Sequence, residues 1–148
     1  MIYLLRHGDA VSRDGSDDAA RALTEKGRRQ SETAGRALAA LGVGIETCLT
    51  SPKVRAAETA RLACEPLGVE PEVEPELESG PFDPLRLAAG RGEALLVGHE
   101  PAFSTEIAGL TGGRVKLRKG GLAIVDGGVL VALLRPEDLA AVAGSAGG

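Results

Sequence analysis

The chain has 148 residues, 43% of them apolar and only 2% aromatic, with no Trp and a formal net charge of -4. That length suits one domain around one aliphatic core, and the composition excludes an aromatic stacking platform for nucleic acid or general binding to polyanions. No apolar run approaches the roughly 20 residues that cross a bilayer, and Arg6 and His7 stand too early for removal of a signal peptide, so a cytoplasmic protein without membrane contact is expected.

Ile2 to Leu5 form a short apolar run that predicts a buried strand leading into Arg6-His7-Gly8. The stretch from Asp14 to Asp18 reads as a mobile loop. Thr24 predicts the N-cap of a helix whose apolar stripe is Ala34, Ala37, Leu38 and Leu41, with Gly42 as its stop. Thr47 to Thr50 read as a second strand, followed by a helix capped by Ser51, with Pro52 at its first position. Ala56, Ala60, Ala63 and Leu67 mark the buried face of that helix.

From Glu65 to Pro84 the chain turns proline-rich and acidic, which predicts an irregular connection with one short strand around Val73. Pro84 to Ala89 predict a short helix. Ala94 to Gly98 are a third buried strand, leading into His99-Glu100-Pro101 and a helix with Phe103, Ile107 and Leu110 on one face. Val115–Leu117, Leu122–Val125 and Val129–Leu134 read as strands, the last two joined as a hairpin through Asp126-Gly127-Gly128. Pro136 starts a final helix. The expected domain spans 1–143, with 144–148 as a flexible tail, and Cys48 and Cys64 read as small buried hydrophobes rather than a disulfide.

Strands alternating with helices imply an α/β fold, a single-domain three-layer sandwich in which helices flank a mostly parallel sheet. In such folds ligands bind beyond the carboxyl ends of the strands. The chain has two histidines, and both stand there, His7 with Arg6 and His99 beyond the third run, while Arg55 follows the second. Two guanidinium forks match the oxygens of a phosphate. A divalent metal would sit beside two permanent positive charges without ligands at recognisable spacing, so no metal and no cofactor are expected. The remaining use of an imidazole beside a phosphate is in-line attack on phosphorus. Gly8 permits a tight turn, and a backbone carbonyl holding the other ring N–H would fix the tautomer.

Leu5-Arg6-His7-Gly8, Leu23-Thr24-Glu25-Lys26-Gly27, Ser51-Pro52-Lys53-Val54-Arg55-Ala56 with Glu58-Thr59-Ala60, and Val97-Gly98-His99-Glu100-Pro101 resemble, in order and spacing, the histidine phosphatase (phosphoglycerate mutase-like) superfamily. The short length, Arg6-His7-Gly8-Asp9-Ala10 and Gly98-His99-Glu100-Pro101 look most like its SixA-type phosphohistidine phosphatases. The resemblance implies a metal-independent phosphatase in which His7 is transiently phosphorylated, Arg6 and Arg55 grip the phosphoryl oxygens and His99 donates to them. For the proton donor it points to Glu76 or Glu78 by one branch of the superfamily and to Glu100 by another. Gly8, Arg13 and Ser51 are the expected substrate contacts.

The expected partner is a protein phosphorylated on histidine, with a small phosphate ester as the first alternative and a noncatalytic phosphate-binding module as the second. Arg114, Lys116, Arg118 and Lys119 form a basic patch. Its favoured explanation is protection of an edge strand, with an acidic partner or a second phosphate as the rival. The oligomeric state is not legible in the sequence.

Overall fold

The computed structural model describes residues 1–12 and 17–147. The apolar runs become β1 (Ile2–Arg6), β2 (Thr47–Thr50), β3 (Pro71–Val73), β4 (Ala94–Gly98), β5 (Leu122–Asp126) and β6 (Val129–Leu134). They are joined by α1 (Glu25–Ala40), α2 (Val54–Cys64), α3 (Pro84–Ala88), α4 (Ala102–Thr111) and α5 (Pro136–Gly147). The strands form one sheet in the order β3-β2-β4-β1-β5-β6. β3, β2, β4 and β1 run parallel to their neighbours, while β5 and β6 are added antiparallel. Gly127, at φ +58°, makes the β5–β6 turn with Gly128.

Side chains alternate across the central strands with the period of two that a pleated strand imposes. Tyr3, Leu5, Cys48, Leu95 and Val97 face α1, α2 and α5, where Ala34, Leu38, Ala60, Ala63 and Leu139 complete one core. Ile2, Leu4, Leu49 and Leu96 face the other way, onto Phe103 and Ile107 of α4, Leu87 of α3, and Leu77, Phe82 and Leu117. Burial on both faces explains why these strands are unbroken apolar runs. Cys48 and Cys64 are free and buried.

Thr24 caps α1 as its sequence predicts, its Oγ1 accepting the Gly27 N–H at 3.0 Å. Several local readings need correction. Leu41 lies past the end of α1 and is exposed. The helix after β2 starts at Val54, not Pro52. Ser51 instead continues the strand, its N–H donating to Val97 O at 3.0 Å, and its hydroxyl accepts the Lys53 N–H at 3.2 Å.

Val115–Leu117 is a loop outside the sheet rather than a strand. Its apolar pattern reflects the anchoring of buried Leu117 in the core, while its backbone bonds go to side chains. Leu117 N–H donates to Glu100 Oε2 at 3.1 Å, and Leu117 O accepts from Arg6 Nη1 at 2.9 Å. The basic patch therefore lies on no sheet edge, and strand protection does not account for it.

Candidate active site

The parallel registers align three strand ends. Arg6 of β1 pairs with Gly98 of β4, and Thr50 of β2 pairs with Val97 of β4, so His7, His99 and Ser51 emerge side by side. His7 N–H donates to Gly98 O at 3.1 Å, and the two imidazole centroids lie 5.2 Å apart.

The turn after His7 packs backbone to backbone against the start of α1. A Cβ on Gly8 would run into the carbonyl of Gly27, and one on Gly27 into that of Asp9. Gly8 N–H donates to Thr59 Oγ1 at 3.1 Å, and Thr59 in turn donates to Arg55 O at 2.7 Å, tying the turn to α2. Glu58 accepts the Leu23 N–H at 3.1 Å. These contacts give Gly27, Glu58 and Thr59 a physical role, although none reaches the reacting atoms.

His7 Nδ1 lies 2.7 Å from Gly8 O. A carbonyl only accepts, so Nδ1 carries the proton and Nε2 keeps its lone pair. Burial, partly offset by the Gly8 hydrogen bond, combines with the charges of Arg55, Arg6 and Lys119 to lower the His7 pKa from 6.5 to about 4. Burial and the neighbouring His7, Arg55 and Lys53 lower that of His99 from 6.5 to about 3. Both rings are neutral near pH 7. His99 Nε2 lies 2.7 Å from Ser51 Oγ.

Arg55 is 5% exposed and reaches back from the first turn of α2. Its Nη1 donates to Asp18 O at 2.9 Å and its Nη2 to Asp18 Oδ2 at 3.2 Å. The same carboxylate meets Arg21 Nε at 3.0 Å and Lys53 Nζ at 3.6 Å. Burial alone would raise the Asp18 pKa, but Arg55, Arg21 and Lys53 outweigh it and hold it at about 2. Arg6 Nε, Arg55 Nε and His99 Nδ1 are buried with no hydrogen-bond partner among the described residues. Buried polar atoms are seldom left unpaired, and three of them on neighbouring residues suit a ligand rich in acceptor oxygens.

Arg6, His7, Arg55 and His99 line one cavity of about 580 Å³. Arg21, Lys53 and Lys119 add positive charge to it, and Glu78 to Pro81, Thr105 and Glu106 are also among its lining residues. Sequence reasoning missed Asp18, Arg21 and Lys53 as residues of the cavity, and named Lys119 only as part of the basic patch. Lys53 stands within the Ser51-to-Ala56 run and was open to notice there, whereas Asp18 and Arg21 flank a segment without periodicity.

Glu100 also lines the cavity, but both carboxylate oxygens accept backbone N–H groups, from Ser104 at 2.7 Å and from Leu117 at 3.1 Å. Glu78 stands on the cavity wall, while Glu76 is exposed and paired with Arg86. Ser51 is fully buried against His99 rather than open to the cavity. Gly8 supplies the carbonyl that holds His7. Arg13 lies outside the described residues. Among those residues no three His, Cys, Asp or Glu side chains gather into a group able to hold a metal ion.

The fold and this cavity together define an α/β protein with a pair of neutral imidazoles and a cluster of guanidinium and ammonium groups for an oxyanion. Residues 2–83 match the model of the histidine phosphatase superfamily, branch 1, and the chain belongs to that superfamily. An uncharacterized protein of Picosynechococcus sp. is 37% identical over 134 residues, covering 82% of this chain and 81% of that protein.

Among solved structures, the protein histidine phosphatase SixA complexed with tungstate is 25% identical, with a TM-score of 0.80 over 93% of this chain and 98% of that one. A SixA from Agrobacterium tumefaciens, 23% identical, superposes with a TM-score of 0.76 over 91% of this chain and 97% of that one. The architecture is that of the SixA type, a phosphoglycerate mutase-like sandwich with a mixed six-stranded sheet, and the family and the tungstate-bound SixA support a phosphatase.

Proposed function

We propose that the chain is a metal-independent phosphatase that works through phosphorylated His7 and acts on phosphohistidine in proteins. The observation that carries the reading is the His7–Gly8 hydrogen bond, which supports a ring proton on Nδ1 and Nε2 as the neutral nucleophile in a cavity lined by arginines.

In the first step His7 Nε2 attacks phosphorus, and the bond from phosphorus to the leaving imidazole nitrogen breaks as that nitrogen takes a proton from solvent water. Arg6 and Arg55 bind the equatorial oxygens and His99 Nδ1–H donates to one of them, which stabilises charge as the phosphoryl group passes between nitrogens. Water then attacks the phosphoryl group on His7, releasing inorganic phosphate and restoring the ring. Arg55 must exchange part of its hold on Asp18 for the substrate. Lys53 and Arg21, already beside that carboxylate, take over its charge.

An imidazole leaving group departs more readily than an alkoxide and needs less proton assistance. That suits a site in which Glu100 is committed to two backbone N–H groups; we assign Glu100 to positioning and leave Glu78 as the carboxyl group on the cavity wall. The rim residues Glu78, Ser79 and Gly80 are exposed, which suits a side chain presented by a protein. The likeness to a SixA that holds tungstate, an oxyanion of similar shape to phosphate, supports the same ligand class.

The test is rapid-quench trapping combined with a turnover panel of phosphohistidine proteins, small phosphoramidates and phosphate esters. The expected result is an acid-labile, alkali-stable phosphoryl group on His7 and a large preference for P–N substrates. A clear preference for one small ester would replace the protein substrate with a metabolite, and absence of the adduct with every reactive donor would overturn the nucleophile.

A further inference from the structure

We infer that the loop 114–119 and the start of α1 form a basic ridge beside the active site that docks acidic residues flanking the phosphohistidine of a protein substrate. The inference rests on the phosphohistidine-protein reading of the site and adds what the substrate must carry around its phosphorylated residue.

The ridge is built into the site. Arg6 Nη1 holds Leu117 O and Glu100 holds Leu117 N–H, so the loop is fixed by side chains from the two histidine-bearing segments. With Leu117 buried beneath it, the loop turns Arg114, Lys116, Arg118 and Lys119 outward. A second concavity of about 700 Å³ adjoins the catalytic one and shares Arg6 and Lys119 with it. Lys26, Lys116 and Arg118 line it, against the carboxylates of Asp9 and Glu137.

Those two carboxylates are already engaged: Asp9 pairs with Lys119 at 3.5 Å and Glu137 with Arg118 at 3.1 Å. Lys26, Arg114 and Lys116 form no ion pair among the described residues. In a chain of net charge -4 this is a local excess of positive charge held at a fixed place next to a phosphate site. Such an excess steers and orients an anionic partner through the field it projects. Glu78 and Glu106 line the catalytic cavity but not the second concavity, so the acidic residues of a partner meet favourable charge on the ridge rather than beside those two carboxylates.

The experiment uses the full chain and synthetic peptides carrying one phosphohistidine flanked by Glu or by Ala, with a small phosphoramidate as control. The expected result is a kcat/KM roughly fivefold or more higher for the Glu-flanked peptide, in keeping with several exposed charge pairs. That preference should collapse at about 0.5 M salt, where screening is nearly complete. The double variant K26E/K116E should lose the preference while hydrolysing the phosphoramidate at the wild-type rate, which also shows that it is folded. Equal kcat/KM for the two peptides in wild type, or a preference that survives in the variant, would overturn the ridge.

If neither peptide is hydrolysed but a small ester is, the protein-substrate reading fails, and the ridge is judged separately by competition. In that case a Glu-rich peptide without phosphate should inhibit ester hydrolysis by wild type and not by K26E/K116E. No inhibition of wild type would overturn it.

Discussion

Ser51 Oγ and His99 Nε2 lie 2.7 Å apart, both buried, where β2 and β4 end side by side. Ser51 Oγ already accepts the Lys53 N–H, and a buried hydroxyl proton needs an acceptor. His99 Nε2 is the acceptor within reach, so the neutral ring carries its own proton at Nδ1, the atom that the proposed mechanism has donate to a phosphoryl oxygen. Ser51→Ala removes that control. It should lower kcat by about tenfold with little change in KM, a smaller loss than the 10²–10³ typical of deleting an oxyanion donor outright. Nitrogen chemical shifts of His99 should show loss of the single Nδ1–H tautomer; an unchanged tautomer would sink the assignment.

His7→Ala should abolish turnover, by about four orders of magnitude or more, as expected when a covalent nucleophile is lost. Labelled phosphodonor should leave no acid-labile adduct on this variant. Residual wild-type-like activity would remove His7 from the mechanism.

Both histidines resist protonation, His7 down to about pH 4 and His99 to about pH 3, against an ordinary value of 6.5. Between those values the unfolded chain binds more protons than the folded one, so stability rises with pH there. It is complete above 6.5, declines as pH falls below that value, and levels off for these groups below about 3. Urea midpoints measured from pH 7.5 to pH 3.5 should decline accordingly. With two histidines in the chain, ring-proton titration reads each directly, and a midpoint near 6.5 for His7 would contradict its burial among cations.

Glu100 bonds Ser104 N–H and Leu117 N–H, joining α4 to the loop that Arg6 also holds. Glu100→Ala should cost about 1–2 kcal/mol of stability, the scale of a lost helix cap, read from urea denaturation. Its activity loss should be similar for a phosphoramidate and for an aryl phosphate with a good leaving group. A loss confined to esters with poor leaving groups would instead mark Glu100 as the proton donor.

Gly27→Ala forces a methyl group into the carbonyl of Asp9, where backbone meets backbone and neither side chain can yield. The expected cost is about 2–3 kcal/mol or more, at the upper end for overpacking, accompanied by displacement of the His7 turn and a fall in kcat. Thermal unfolding of purified protein measures the first effect. An unchanged Tm would show that the approach of α1 to this turn is looser than the structure has it.

Much of the fold was legible because the central strands are buried on both faces and must be continuous apolar runs: Ile2–Leu5 and Ala94–Gly98 left little choice. Thr24 was legible as a cap through its own chemistry. Val115–Leu117 misled because alternation records only which side chains go inward, and a loop pinned by Glu100 and Arg6 alternates as well as a strand does. Ser51-Pro52 misled in the same way, since a good capping pair says nothing about whether the strand before it has ended.

The sequence by itself determined the residue types, two imidazoles and two guanidinium groups at strand ends and a helix start, because phosphate chemistry restricts what can serve. Only the tertiary structure decided their mutual placement. The register of β1, β4 and β2 sets His7 beside His99 and Ser51, and Gly8 O and Ser51 Oγ fix which ring nitrogen of each histidine carries a proton. Asp18, remote in sequence, occupies the fork of Arg55. Strand register and side-chain hydrogen bonds depend on contacts between segments tens of residues apart, and no local pattern encodes them.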